Sequence, residues 1–209
     1  MKLYYAETPN PRKTCAVAKH LGLDLEYVFV DLGRGEHQTP DYLALNPNGK
    51  VPALQDGDVA LFESAAIMIY LAQQAGSDLW ATTPAEQVEI VKWLSWDLAH
   101  FSRHTGMLFY QNMIRPRFGL GDPDPAVVEE SLGFFNRFAG VLDNHLSGRS
   151  HLVGNRLTVA DFAVAAVLPL AVPSKIPLGD FPEVSRWHDS LMALPAWADP
   201  FPERDRAAA

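Results

Sequence analysis

As far as Phe62, apolar and polar positions alternate in short bursts. Beyond it they settle into long stretches with a three-and-four repeat. Residues 2–7 and 27–32 ("YVFVDL") are short, aromatic and β-branched, the composition of strands. Between them Pro11–Leu21 has a helical pattern, with Asn10 in the capping position, Pro11 in the tolerated first turn and Gly22 closing the helix. A β-α-β unit of this length implies parallel pairing and a right-handed crossover. Thr39 then caps a short helix over Pro40–Leu45, and Asn46-Pro47-Asn48-Gly49 makes a turn. Alternation resumes on both sides of Asp56-Gly57, the signature of a hairpin. Glu63-Ser64 opens a further helix with Ile67, Tyr70 and Leu71 on one stripe and Gly76 behind its end. The expected order is β-α-β-α-β-β-α.

The remainder changes period. Pro84 starts a helix running to about Ile114 and rich in Trp93, Trp96, Phe101, Phe109 and Tyr110. A second, Pro125–Leu146, carries Val128, Leu132, Phe135, Ala139, Leu142 and Leu146 as one apolar stripe. A third begins in "LTVADFAVA", where Thr158 and Asp161 form a capping-box-like pair, and a last one covers about Pro182–Leu194. These periods predict two domains, an α/β domain over 1–77 and an all-helical domain over 84–209.

Composition narrows the function. A formal net charge of -8 excludes a sequence-independent nucleic-acid binder, which needs a clustered basic face. One cysteine excludes an intramolecular disulfide and a Cys-x-x-Cys reductase motif. The acid at Glu7 interrupts the start too soon for the apolar core of a signal peptide. The longest apolar stretch, Phe162–Val172, holds Pro169 and falls short of the roughly 18 residues of a spanning helix, so no membrane association and a cytoplasmic location are expected.

The order of elements with "NPNGKVPAL" (Asn46–Leu54), "FES" (Phe62–Ser64), "LTVADFAVA" (Leu157–Ala165) and "TPN" (Thr8–Asn10) resembles the glutathione transferase superfamily over essentially the whole chain. The fold so implied is a thioredoxin-like N-terminal domain followed by an all-α C-terminal domain. Within the superfamily, "TPN" with "VDLGRGEHQTPDYLALNPNGKVPAL" looks most like the bacterial nu class, associated with glutathione-dependent reduction of disulfides and peroxides. The resemblance implies glutathione as co-substrate, a disulfide or small electrophile as second substrate, and a homodimer. Conjugation to halogenated or aromatic substrates, and a non-catalytic glutathione-binding module, are the alternatives.

Carried onto this sequence, the resemblance gives each end of the tripeptide a partner. Ser64, at a helix start, receives the γ-glutamyl carboxylate, or only caps its helix. Glu63 faces the ligand ammonium. Val51-Pro52 matches the family's cis-proline, whose preceding backbone groups pair with an extended peptide. Lys50 meets the glycyl carboxylate or stays a solvated turn lysine; Gln38 or His37 reaches the same end or stays solvated. The Thr8 hydroxyl donates to the glutathione thiolate at the amino end of the first helix, and Asn10 caps that helix, donates to sulfur, or both. Pro11 stiffens the loop after Asn10. Cys15, one turn inside among Ala16, Val17 and Ala18, is read as structural. On the long helix Phe101, His104 and Leu108 are expected in the electrophile pocket, and Asp97 is the acid expected to reach a neighbouring subunit. His100 and His104 stand at metal-pair spacing, but no matching third and fourth ligands follow and no metal is expected. Thr158 and Asp161 resemble the family's buried capping motif, a structural role.

Overall fold

Alternation in the first part of the chain resolves into a four-stranded mixed sheet in a computed structural model that describes residues 1–203. Residues 204–209, the end of the expected helical domain, lie outside the described residues. The elements are β1 (Lys2–Tyr5), α1 (Pro9–His20), β2 (Glu26–Phe29), a 3-10 turn (Glu36–Gln38), α2 (Pro40–Leu45), β3 (Ala53–Asp56), β4 (Val59–Phe62) and α3 (Ser64–Gln74). The sheet order is β2-β1-β3-β4, with β1 parallel to β2 and β3 antiparallel to both β1 and β4. Strand alternation separates the two faces. Leu3 and Leu54 are fully buried on the face that α1 and α3 cover with Ala16, Val17, Ile67 and Leu71. Tyr4 points the other way, into a smaller cluster of Val30, Tyr42 and Ala53 beneath α2.

Several boundaries of this part differ from the sequence reading, and β1 ends at Tyr5 rather than 7. β2 ends at Phe29 rather than 32, although the Val30 N–H still donates to the Tyr5 carbonyl at 2.8 Å. α1 starts at Pro9, so its N-cap is Thr8 and Asn10 is a residue of the first turn, not the cap. Proline at the first position fixes φ in the helical range and gives up a donor that position does not use.

Of the remaining elements, α4 (Pro84–Trp96), α5 (Ser102–Phe109) and α6 (Arg115–Arg117) run on through π-helical turns at Asp97–Phe101 and Tyr110–Ile114. α7 (Pro125–Leu146), α8 (Val159–Val164), α9 (Pro182–Met192) and α10 (Pro195–Ala198) follow. Thr83 and Asp124 cap α4 and α7 by accepting first-turn amides. The stripe of α7 meets α5 and α9, burying Phe135, Ala139, Leu142, Leu146 and Trp187 completely. No helix among the described residues is long and apolar enough to cross a membrane.

Among the described residues the chain divides into two units, 1–77 together with 194–203, and Asp78–Ala193. The sequence reading, which carries the helical domain to residue 209, misses this return. A long-range contact makes it: α10 lies on α1, where the Arg12 guanidinium reaches the Trp197 and Ala198 carbonyls and stands 5.0 Å from the centre of the Trp197 ring. Burial lowers the Arg12 pKa to about 10, opposed by Asp199.

Candidate functional site

Register builds the site. Tyr4 and Phe62 both pair with Ala53, so β1 and β4 run out at the sheet edge where β3 begins. The residues just beyond those ends are Thr8 after β1, Val51-Pro52 before β3 and Glu63-Ser64 after β4. α1 and α3 start there too, and two helix amino ends make that edge electropositive.

At α1, Thr8 adopts the extended N-cap backbone (φ -132°, ψ 165°), and its hydroxyl makes no capping bond. Neither the Thr8 hydroxyl nor the Asn10 carboxamide has a partner among the described residues. Because the first and third helical residues are prolines, the only first-turn N–H here that could meet a ligand is that of Asn10. Cys15 is fully buried in the same helix, and burial pushes its thiol up to about 12 despite a hydrogen bond involving Thr14. It is a neutral core side chain.

At α3, Glu63 holds φ 70°, ψ 117°, a left-handed backbone rare for a residue with a side chain. This bend delivers the chain from β4 into α3. Ser64 is 7 % exposed, and its hydroxyl has no partner among the described residues. The amides of Ser64, Ala65 and Ala66 are first-turn donors without an intrahelical acceptor.

The Val51–Pro52 bond is cis, and the Val51 backbone forms no hydrogen bond with any described residue. Immediately before it, the Lys50 carbonyl accepts from the Tyr42 hydroxyl at 2.7 Å and the Asn46 amide at 2.6 Å, while the Lys50 side chain is exposed. Gln38 donates to the Gly49 carbonyl at 3.3 Å, tying the 3-10 turn to this loop. Gly49 is required there: its φ is 57°, and a Cβ would lie 2.4 Å from the Gln38 amide nitrogen. The neighbouring His37 has a sheltered Nδ1 with no partner. Its signal in the sequence was only its place beside Gln38.

The residues expected in an electrophile pocket fare differently. Phe101 and Leu108 are 1 % and 0 % exposed, Phe101 packing against Trp96 and Phe135, so both form the core of the helical unit. Their apolar helical spacing marked a buried face, which is what a core also requires. His104 is half-buried and stacks on Phe134 with ring centres 4.5 Å apart. Its pKa is lowered, first by burial and then by Arg103. His100 stacks on Phe138 at 4.8 Å. Asp97 is 1 % exposed and accepts from the Ser102 hydroxyl at 2.7 Å, so its carboxylate is engaged within the helical unit.

The chain is similar to known proteins along most of its length. Residues 1–73 match the family model of the glutathione S-transferase N-terminal domain, and residues 101–195 that of the glutathione S-transferase C-terminal domain. Glutathione S-transferase 3 of Zea mays is 38% identical over 206 residues, spanning 94% of this chain and 91% of its own. Disulfide-bond oxidoreductase YfcG of Escherichia coli (strain K12) is 30% identical over 201 residues, 93% of this chain and 91% of its own. The crystal structure of a glutathione transferase family member from Pseudomonas fluorescens pf-5, with two glutathione bound, has a TM-score of 0.86 at 31% identity, covering 95% of this chain and 91% of that one.

Proposed function

Since the chain belongs to the glutathione S-transferase family, we propose that it binds glutathione at the edge where α1 and α3 begin and uses the thiolate to reduce disulfides and peroxides, the chemistry of the bacterial nu class. One observation carries this: the Thr8 hydroxyl and Asn10 carboxamide stand uncommitted at a helix start while the chain's single cysteine is buried and protonated. The reactive sulfur is then the ligand's.

Ser64 with the first-turn amides of α3 holds the γ-glutamyl carboxylate, and Glu63 the ammonium. The Val51 N–H and C=O pair with the cysteinyl backbone as an added strand. Lys50, Gln38 and His37 surround the glycyl carboxylate. The glutathione thiol, whose pKa when free is about 8.5 as for a cysteine, releases its proton to water. Donors from Thr8 and Asn10 and the field of α1 favour the anion left behind. The thiolate attacks one sulfur of a disulfide, the S–S bond breaks, and its electron pair leaves on the other sulfur as a thiolate. A second glutathione resolves the mixed disulfide. His104, half-exposed between aromatic rings, is the member of the expected electrophile set that retains a surface.

The 38% identity to the maize enzyme favours a second reading, conjugation of small electrophiles by the same thiolate. Turnover of hydroxyethyl disulfide against a chloronitrobenzene separates the two, and binding of glutathione with turnover of neither would identify a non-catalytic module. We place the enzyme in the cytoplasm as a homodimer. A reducing compartment suits a free buried thiol, and Val88, Val91 and Leu98, 67%, 47% and 54% exposed along one stripe, suit burial against a second subunit. Sedimentation of Val88→Glu tests the latter.

A further inference from the structure

The face of the sheet under α2 contains a cavity of about 390 Å³, within the first unit and on the opposite side from α1 and α3. Its floor is Tyr4 and Val28, which pair across β1 and β2, and its wall is Tyr42 and Leu45 of α2. We propose that this cavity is a second binding site, for a small organic cation with an apolar body: an aryl- or alkylammonium.

Size, shape and charge each support that choice. The volume is that of a small-molecule site. Tyr4 and Tyr42 both line the cavity and meet edge to face with ring centres 6.0 Å apart, an aromatic surface for the apolar body of the ligand. Burial raises the Tyr42 pKa, keeping the phenol neutral while it donates to Lys50. The Tyr4 hydroxyl donates to the Gln55 oxygen at 3.3 Å, which fixes that carboxamide at the cavity. The charged lining residues are Glu36 and Asp41, and no lining residue is basic. Asp41 sits in the first turn of α2, and Glu36 spends one oxygen on the Asp31 N–H at 2.7 Å. An anionic ligand would face two carboxylates without a counter-charge; a cation completes them.

The test is titration of the full chain with phenethylammonium, followed by amide NMR shifts and calorimetry, with 3-phenylpropionate as the anion of similar shape. The cation should shift Tyr4, Val28 and Tyr42 and bind at least tenfold tighter than the anion. Val28→Trp fills the cavity and should weaken the cation at least tenfold, while Asp41→Asn should weaken it about threefold, as for an exposed charge. Both should leave glutathione-dependent turnover unchanged. Shifts confined to the residues around Thr8 and Ser64, equal binding of the anion, or no saturable binding overturns the proposal. Should Val28→Trp fail to fold by circular dichroism, Asp41→Asn with Glu36→Gln decides: unchanged affinity for the cation overturns it.

Discussion

The amino ends of α1 and α8 start from the same residue in nearly the same backbone: Thr8 at φ -132°, ψ 165° and Thr158 at φ -138°, ψ 170°. Their hydroxyls lead opposite lives. That of Thr158 accepts from the Ala160 N–H at 3.3 Å and donates to Asp161 at 3.1 Å. Asp161, fully buried, also accepts from the Thr158 N–H, the Leu152 N–H and the Trp187 indole. Every donor at that helix start is answered from within the protein. At α1 the proline at the third position removes one of the two amides an N-cap side chain can receive, and the other, that of Asn10, is not bonded to the Thr8 hydroxyl. Pro11, which in the sequence reads only as a stiff residue after Asn10, helps to hold the Thr8 hydroxyl free. A committed helix start serves the fold, whereas a free one serves a ligand.

The largest effect belongs to the committed end. Asp161→Ala orphans the buried amides and indole of α8's approach and should cost about 3–5 kcal/mol, a large part of the roughly 5–15 kcal/mol available to a domain. Urea unfolding should show the collapse, or the variant should fail to accumulate as folded protein. A loss under about 1 kcal/mol would mean that the network is ornamental.

Paired substitutions sharpen the contrast. Thr8→Val keeps the shape and removes the donor to a charged sulfur, a bond of about 1.5–3 kcal/mol, so kcat/KM with glutathione should fall roughly 10- to 150-fold. Its urea midpoint should stay within about 0.5 kcal/mol of the parent, because no cap is lost. Thr158→Val should do the reverse, costing about 1–2 kcal/mol of stability with turnover per folded molecule unchanged. If Thr8→Val destabilised and left turnover intact, the two ends would be equivalent and the catalytic assignment would fail.

Cys15 tests the same division from inside α1. With its pKa near 12 from burial, the thiolate fraction at pH 8 is on the order of 10⁻⁴. Iodoacetamide should therefore label the native chain at least a hundredfold more slowly than the urea-unfolded chain. Cys15→Ala should keep glutathione-dependent turnover within about twofold. Rapid native labelling would put a second reactive sulfur in the enzyme.

Much of this was legible before any coordinates. Punctuating residues set the elements: Thr39-Pro40, Pro84 and Pro125 each open a helix where the sequence places its start. The hairpin beside Asp56-Gly57 forms, with Gly57 at φ 56°. The π-helical turns were not legible, because apolar spacing records which face is buried and not how the backbone bonds within the turn. For the same reason Phe101 and Leu108 could be assigned to a buried face but not to core or pocket. The return of α10 to α1 rests on Arg12 and Trp197, 185 residues apart in sequence, and no local pattern carries such a contact. Asp97 was singled out by the resemblance alone; its hydroxyl partner Ser102 lies five residues on, past the ordinary helical spacing, across the π-helical turn.

The smallest effect falls on Asn10, whose two readings the structure separates. A capping asparagine replaced by alanine loses about 1 kcal/mol, but Asn10 lies within the first turn and its side chain caps nothing. Alanine is the better helix former by up to about 0.7 kcal/mol, so Asn10→Ala should unfold at an equal or slightly higher urea concentration. Turnover should fall only about fivefold, since the Asn10 backbone N–H survives the change and the side-chain donor is the weaker partner to a sulfur already held by Thr8. In the Thr8→Val background the same substitution should cost more than fivefold, as the remaining donors then carry the anion alone. A destabilised Asn10→Ala with full turnover would return the residue to helix capping and leave Thr8 as the only side chain at the sulfur.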